Sequence, residues 1–135
     1  MTETRSALVP NAAVQASDVG LAHEAVAAED VVAGSPTTAS VELVGEGGSR
    51  IGLWEITPGV VTDTEADEVF VVLSGRGRVE FLGAVDDAGD GAGGGVDAVT
   101  LPAPLDLKPG TVGRLAAGTR TRWTITETLR KVYIL

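Results

Sequence analysis

The sequence predicts a single all-β domain, an antiparallel sandwich or barrel, on three observations. Short runs rich in Val, Ile, Thr and aromatic residues recur at close spacing. Eighteen glycines and six prolines among 135 residues punctuate them. No confident helical period lies between them. About nine such runs can be marked, the number expected of a small sandwich or barrel. No internal repeat of fixed period is present.

Residues 1–28 are Ala/Val-rich and poor in aromatics, and are expected to form a flexible tail. A weak helix over 18–30 is the alternative, since Ala favours it. The single histidine, His23, falls in this segment and is expected to be an exposed tail residue. The ordered domain is placed at 29–135, opening near the turn Gly34-Ser35-Pro36. Strands are expected over 37–44 and 50–57, the second carrying Trp54. After Pro58-Gly59 an acidic loop bears Asp63, Glu65, Asp67 and Glu68. An apolar run over 69–73, the stop Ser74-Gly75-Arg76-Gly77 and an alternating run over 78–81 read as a β-hairpin. Residues 83–95 form a low-complexity loop. Further strands are expected over 96–101, 105–107, 111–115, 119–126 and 129–135, the fourth of these carrying Trp123.

Composition narrows the function. A chain of this length buries roughly two-thirds of its unfolded surface, enough for a real core. The net charge of −9 and pI of about 4.4 oppose binding to nucleic acid or to anionic membrane. No cysteine is present, so there is no disulfide framework and no thiolate nucleophile. No run approaches the ~20 apolar residues of a membrane-spanning helix, and no secretory leader is evident. A cytoplasmic protein is the expectation.

Candidate chemistry centres on Glu68, where the acidic loop enters a strand. A period of two puts Glu68, Phe70 and Val72 on one face, and a strand apolar on both faces is covered on both. Lys131 shares a face with Tyr133, and Thr121 with Trp123. Glu68, Lys131 and Tyr133 are therefore the candidate acid–base groups, with Trp54, Phe70, Thr121 and Trp123 as candidate pocket walls. The other three acids read as a solvated loop face, with a hard-cation site as the alternative. Asp86 to Gly91 has the letters of a calcium loop but lacks its third-position ligand, and Asp97 stands where a Glu belongs. One histidine excludes a histidine-based metal centre. Neither glycine cluster is followed by the Lys-Ser/Thr of a phosphate loop.

In order and spacing, these motifs resemble the cupin superfamily. Glu68, six residues, then Gly75 is similar to the end of the first cupin motif. Gly110, five residues, then Ala116-Ala117-Gly118 is similar to the second, with Ala in place of Pro. The resemblance is closer to the subgroup of ethanolamine-utilisation and ureidoglycine-related proteins. It rests on Gly52-Leu53-Trp54-Glu55 through Pro58-Gly59, Asp67-Glu68 through Gly75, Pro109-Gly110, Gly118 through Trp123, and Arg130-Lys131-Val132-Tyr133. It implies a jelly-roll barrel with an interior pocket and, as in many single-domain cupins, a homodimer. Counting from Glu68 and Gly118, the positions of the metal-binding histidines fall on Thr62, Thr64 and Thr121, and hydroxyls are poor ligands for a first-row metal. These threonines join the candidate ligand-binding residues, with no metal and no cofactor expected. Three functions follow: a non-catalytic or sensory module binding a small polar metabolite; a metal-independent isomerase, lyase or hydrolase using Glu68; or a dimeric scaffold with a vestigial pocket.

Overall fold

The structure, a computed structural model, describes residues 8–45, 48–84 and 100–135. Nine strands carry the described fold: β1 (Glu24–Ala25), β2 (Val31–Ala33), β3 (Thr37–Val44), β4 (Ile51–Ile56), β5 (Gly59–Thr64), β6 (Glu68–Ala84), β7 (Leu105–Leu107), β8 (Val112–Leu115) and β9 (Thr119–Ile134). All pairings are antiparallel. The only helical elements among the described residues are two single 3-10 turns, Ala16–Asp18 and Ala28–Asp30. The all-β expectation therefore holds.

Two long strands organise the sheet. β9 pairs with β6 along nearly its whole length, and its other edge carries first β5 and then β4. The far edge of β6 carries β8 near its start and β7 beyond its middle. β3 and β1 continue outward from β4, and β2 from β5. The sheet thus has two lobes sharing β6 and β9, and it curls so that the inner faces of both lobes build one core. Phe70, Ile56 and Leu129 come from one lobe, and Val79, Trp123 and Leu107 from the other. Phe70, Ile56 and Leu129 are fully buried, each contributing about 1.5–3 kcal/mol by leaving water.

Three differences from the sequence reading have physical causes. The expected hairpin over 68–81 is one continuous strand. Gly75 and Gly77 are not turn residues; they lie where the register of β6 against β9 shifts. Gly75 has φ 93°, and a Cβ there would sit 2.1 Å from the Thr128 carbonyl oxygen. The glycines let two backbones meet at a bulge rather than reverse the chain. The two runs expected at the C-terminus are likewise one bent strand, β9. Residues 59–64, read as the start of an acidic loop, form β5 against β9. The proposed calcium loop over 86–91 with Asp97, and residues 96–99 of the expected strand over 96–101, lie outside the described residues; Thr100 and Leu101 are not in a strand.

The stretch around 18–30 is not a helix. Residues 8–26 run along β3, β4 and β9 instead. Leu8 N–H bonds the Leu43 carbonyl, β1 pairs with β3, and Val26 N–H bonds the Pro36 carbonyl. Arg130, only 8% exposed, donates to the carbonyls of Ala16 (2.7 Å) and Val19 (2.8 Å). His23 lies 2.8 Å from the Thr37 hydroxyl and 3.0 Å from Glu55. Burial works to raise the Glu55 carboxyl, but hydrogen bonds from His23 and Arg130 outweigh it and hold the group below its usual range.

Candidate functional site

A recess of about 320 Å³ opens on the inner face, walled by Trp54, Asp63, Thr64, Glu65, Glu68, Trp123, Lys131 and Tyr133, with Ser40, Ala66 and Leu135 at its margin. Register explains why these side chains meet. Trp54 on β4, Lys131 on β9 and Val72 on β6 stand opposite one another, as do Gly52, Tyr133 and Phe70. Gly52 is required there, since a Cβ on it would fall 2.3 Å from the Tyr133 hydroxyl.

Lys131 is the centre of the floor. Its side chain is 6% exposed and its ammonium pairs with Glu68, whose side chain is 11% exposed. The same nitrogen lies 4.8 Å from the ring centres of Trp54 and Trp123 and 4.9 Å from that of Phe70. Ring faces and a carboxylate together offset the desolvation of this cation. Trp54 and Trp123 are themselves tilted against each other at 5.5 Å.

Glu65 is the second buried acid, 7% exposed. Its backbone is fixed by bonds from its N–H to the Thr119 carbonyl and from the Gly118 N–H to its own carbonyl. Its Oε2 accepts the Thr121 hydroxyl at 2.6 Å and the Trp123 indole N–H at 2.9 Å. Asp63 lies on the same strand face as Val61, opposite Thr121. Much of the residue's surface is open, yet the carboxylate sits in a concavity where protein displaces water from several sides. Burial, then the nearby Glu65 charge, raises its pKa to about 6 against the Thr64 N–H bond and Lys131, which favour ionisation. Burial also raises the Tyr133 phenol.

Of the sequence candidates, the structure gathers Trp54, Glu68, Thr121, Trp123, Lys131 and Tyr133 around one space, with Thr64 at the mouth. Phe70 lies beneath the floor, fully buried and supporting Lys131 rather than lining the recess. Thr62 does not line it; its neighbour across the sheet is Arg122, which pairs outward with Glu80. Glu65 and Asp63, read as solvated loop acids, belong to the site. The period of two from buried Val61 through Asp63 to Glu65 is the signal that would have found them. Asp67 is accounted for by the turn it caps, accepting the Ala117 N–H at 2.9 Å.

Donor chemistry here does not fit a first-row metal. Glu68 already faces an ammonium and Glu65 two hydrogen-bond donors, and what else the recess offers is the single Asp63 carboxylate and hydroxyls, with no imidazole. Among the described residues no group of three or more His, Cys, Asp or Glu side chains is placed to hold an ion.

Solved structures supply the comparison. The chain is similar to a putative ethanolamine utilization protein, EutQ, of Salmonella typhimurium LT2, with a TM-score of 0.51 at 18% identity, over 72% of this chain and 67% of that one. It is similar to the EutQ protein of Clostridium difficile, with a TM-score of 0.52 at 13% identity, over 73% and 67% of the two chains. The fold is that of the cupins. A cupin-type sheet also aligns with a protein of unknown function from Pseudomonas syringae pv. tomato, at a TM-score of 0.61 and 19% identity, over 87% of this chain but only 44% of that one. No family model matches the sequence, and no curated protein matches it significantly. Among the described residues no helix is long and apolar enough to cross a membrane.

Proposed function

We propose that this cupin-fold protein is a binding module that takes a small polar metabolite into the recess beside Glu68 and Lys131, without a metal. One observation carries the reading: a buried, fully partnered polar floor lies under a recess walled by two tryptophans and a tyrosine. Recesses of a few hundred Å³ that combine aromatic walls with a few convergent polar groups are the usual form of small-molecule sites. The fold alone licenses no reaction. A thermal-shift screen of polar metabolites tests it, read on the wild type and on Glu68→Gln. The expected result is a compound that raises the melting temperature of the wild type and loses that effect in the variant. A compound that stabilises both equally binds elsewhere and refutes the site.

A second reading, a metal-independent enzyme, is favoured by one feature. Asp63, held near 6 at the mouth, is poised for proton transfer close to neutral pH. It predicts turnover abolished by Asp63→Asn with binding retained. We further propose a homodimer, because β7 and β8 each pair on one side only and leave open strand edges. Sedimentation as a monomer refutes that.

A further inference from the structure

The binding reading leaves the chemistry of the ligand open, and the polar inventory of the recess decides it. The fixed donors are engaged inside the protein. The Thr121 hydroxyl and the Trp123 N–H both go to Glu65, and the Lys131 ammonium gives one bond to Glu68 and otherwise lies against three ring faces. What remains toward the open space are carboxylate acceptors on Asp63, Glu65 and Glu68, with the hydroxyls of Tyr133, Ser40 and Thr64 able to serve either way. Three carboxylates against one ammonium leave two negative charges uncompensated.

The aromatic walls point independently to the same ligand class. The floor already stabilises a cation with three ring faces at 4.8 to 4.9 Å. Trp54, Trp123 and Tyr133 border the open space as well, so an arriving cation meets ring surfaces on one side and carboxylates on the other. An anionic metabolite meets uncompensated like charge, and a neutral one leaves that charge unpaired.

We propose that the recess takes a compact aliphatic amine, with its ammonium held among Asp63, Glu65 and Glu68 and its carbon chain against Trp54 and Tyr133. This rests on the binding reading above. The volume of about 320 Å³ admits a short chain.

Both tryptophans of the chain border this site, so intrinsic fluorescence reports on it alone. Three probes with the same four-carbon chain, n-butylammonium, n-butanol and butyrate, are titrated at constant ionic strength, with melting temperatures read in parallel. The amine should give a saturable fluorescence change and raise the melting temperature; the alcohol and the carboxylate should do neither. Asp63→Asn should weaken the amine about tenfold, as loss of one nearby charge does. Glu127→Gln, which removes an exposed acid on β9 outside the recess, should leave the affinity unchanged. Equal weakening by both variants would mean attraction to the acidic protein as a whole and overturns the proposal. Saturation by the alcohol or the carboxylate in place of the amine overturns the amine inference and leaves the binding reading standing. Saturation by none of the three overturns both.

Discussion

Lys131 and Glu68 form the most buried ion pair of the described residues, and severing it is a quantitative test of the site. Lys131→Met keeps the length of the stem and its packing on the rings but removes the charge. Glu68 then remains, with its side chain 11% exposed, with no cation and with Glu65 lining the same recess. Removing one partner of a buried pair costs about 3–5 kcal/mol. We expect about 4 kcal/mol here, since three ring contacts are lost with the ammonium. Glu68→Gln is milder, about 2 kcal/mol, because the amide oxygen still accepts from Lys131 and the ring faces stay in place. The double variant leaves no buried charge unpaired at this position and should cost about 3 kcal/mol rather than the sum, a coupling of about 3 kcal/mol. Urea unfolding followed by tryptophan emission measures all four proteins. Costs that add to within about 0.5 kcal/mol would show the two groups to be independent and refute the account of the floor.

Other expectations follow from single features. Asp63 binds its proton more tightly when folded, near 6 against an ordinary 3.8, so its contribution to stability is lost as pH rises from about 4 to 6. Asp63→Asn should flatten that part of the pH–stability curve and raise stability at pH 7; an unchanged curve shows that the recess does not perturb this group. Gly75→Ala should cost at least about 3 kcal/mol, because backbone strain adds to a clash with the Thr128 carbonyl, whereas Gly118→Ala, with the same sign of φ but open space around it, should cost about 1 kcal/mol. Similar melting temperatures for the two variants would contradict the bulge. We propose residues 29–135 as the folding unit, with the preceding segment as a strap over it. Deleting 1–28 removes both carbonyl acceptors of nearly buried Arg130 and the His23 contact to Glu55, a loss of about 2 kcal/mol. A deletion that leaves stability unchanged would show that water replaces the strap fully.

What was legible in the sequence was legible by parity. Glu68, Phe70 and Val72 share the inner face as their alternation requires, and Lys131, Tyr133, Thr121 and Trp123 meet them from β9 for the same reason. Alternation needs only the knowledge that a stretch is a strand. It failed where that knowledge depended on a distant partner. Residues 59–64 carry a Pro-Gly entry and acids, the local chemistry of a loop; the 120–125 part of β9 makes them a strand. Once they are a strand, Val61, Asp63 and Glu65 point one way and Thr62 the other. Counting back from Glu68 in fixed steps places Thr62 and Thr64 on the face opposite Val61 and Asp63, and only Thr64, at the end of β5, borders the recess. The glycines of β6 misled in the opposite sense, because Gly-x-Gly signals a reversal locally and a close crossing only when the second backbone is known.

The same dependence explains why the second acid of the site was hidden. Glu65 is placed by two main-chain bonds to the turn before β9, more than fifty residues away, and its charge is tolerated through donors on Thr121 and Trp123. The period of two that marks Val61, Asp63 and Glu65 runs on to Asp67, which caps a turn at the surface, so it does not by itself separate the two acids. The difference is supplied entirely by β9, the strand that also brings Lys131 to Glu68. One strand therefore pairs Glu68 with a cation and hydrogen-bonds Glu65 through neutral donors, and gives the Asp63 carboxylate no direct side-chain partner, only the more distant field of Lys131. That unequal treatment of three acids makes the recess negative and Asp63 its most responsive member, and it is why perturbing Asp63 and perturbing Lys131 should give opposite signs of stability change at neutral pH.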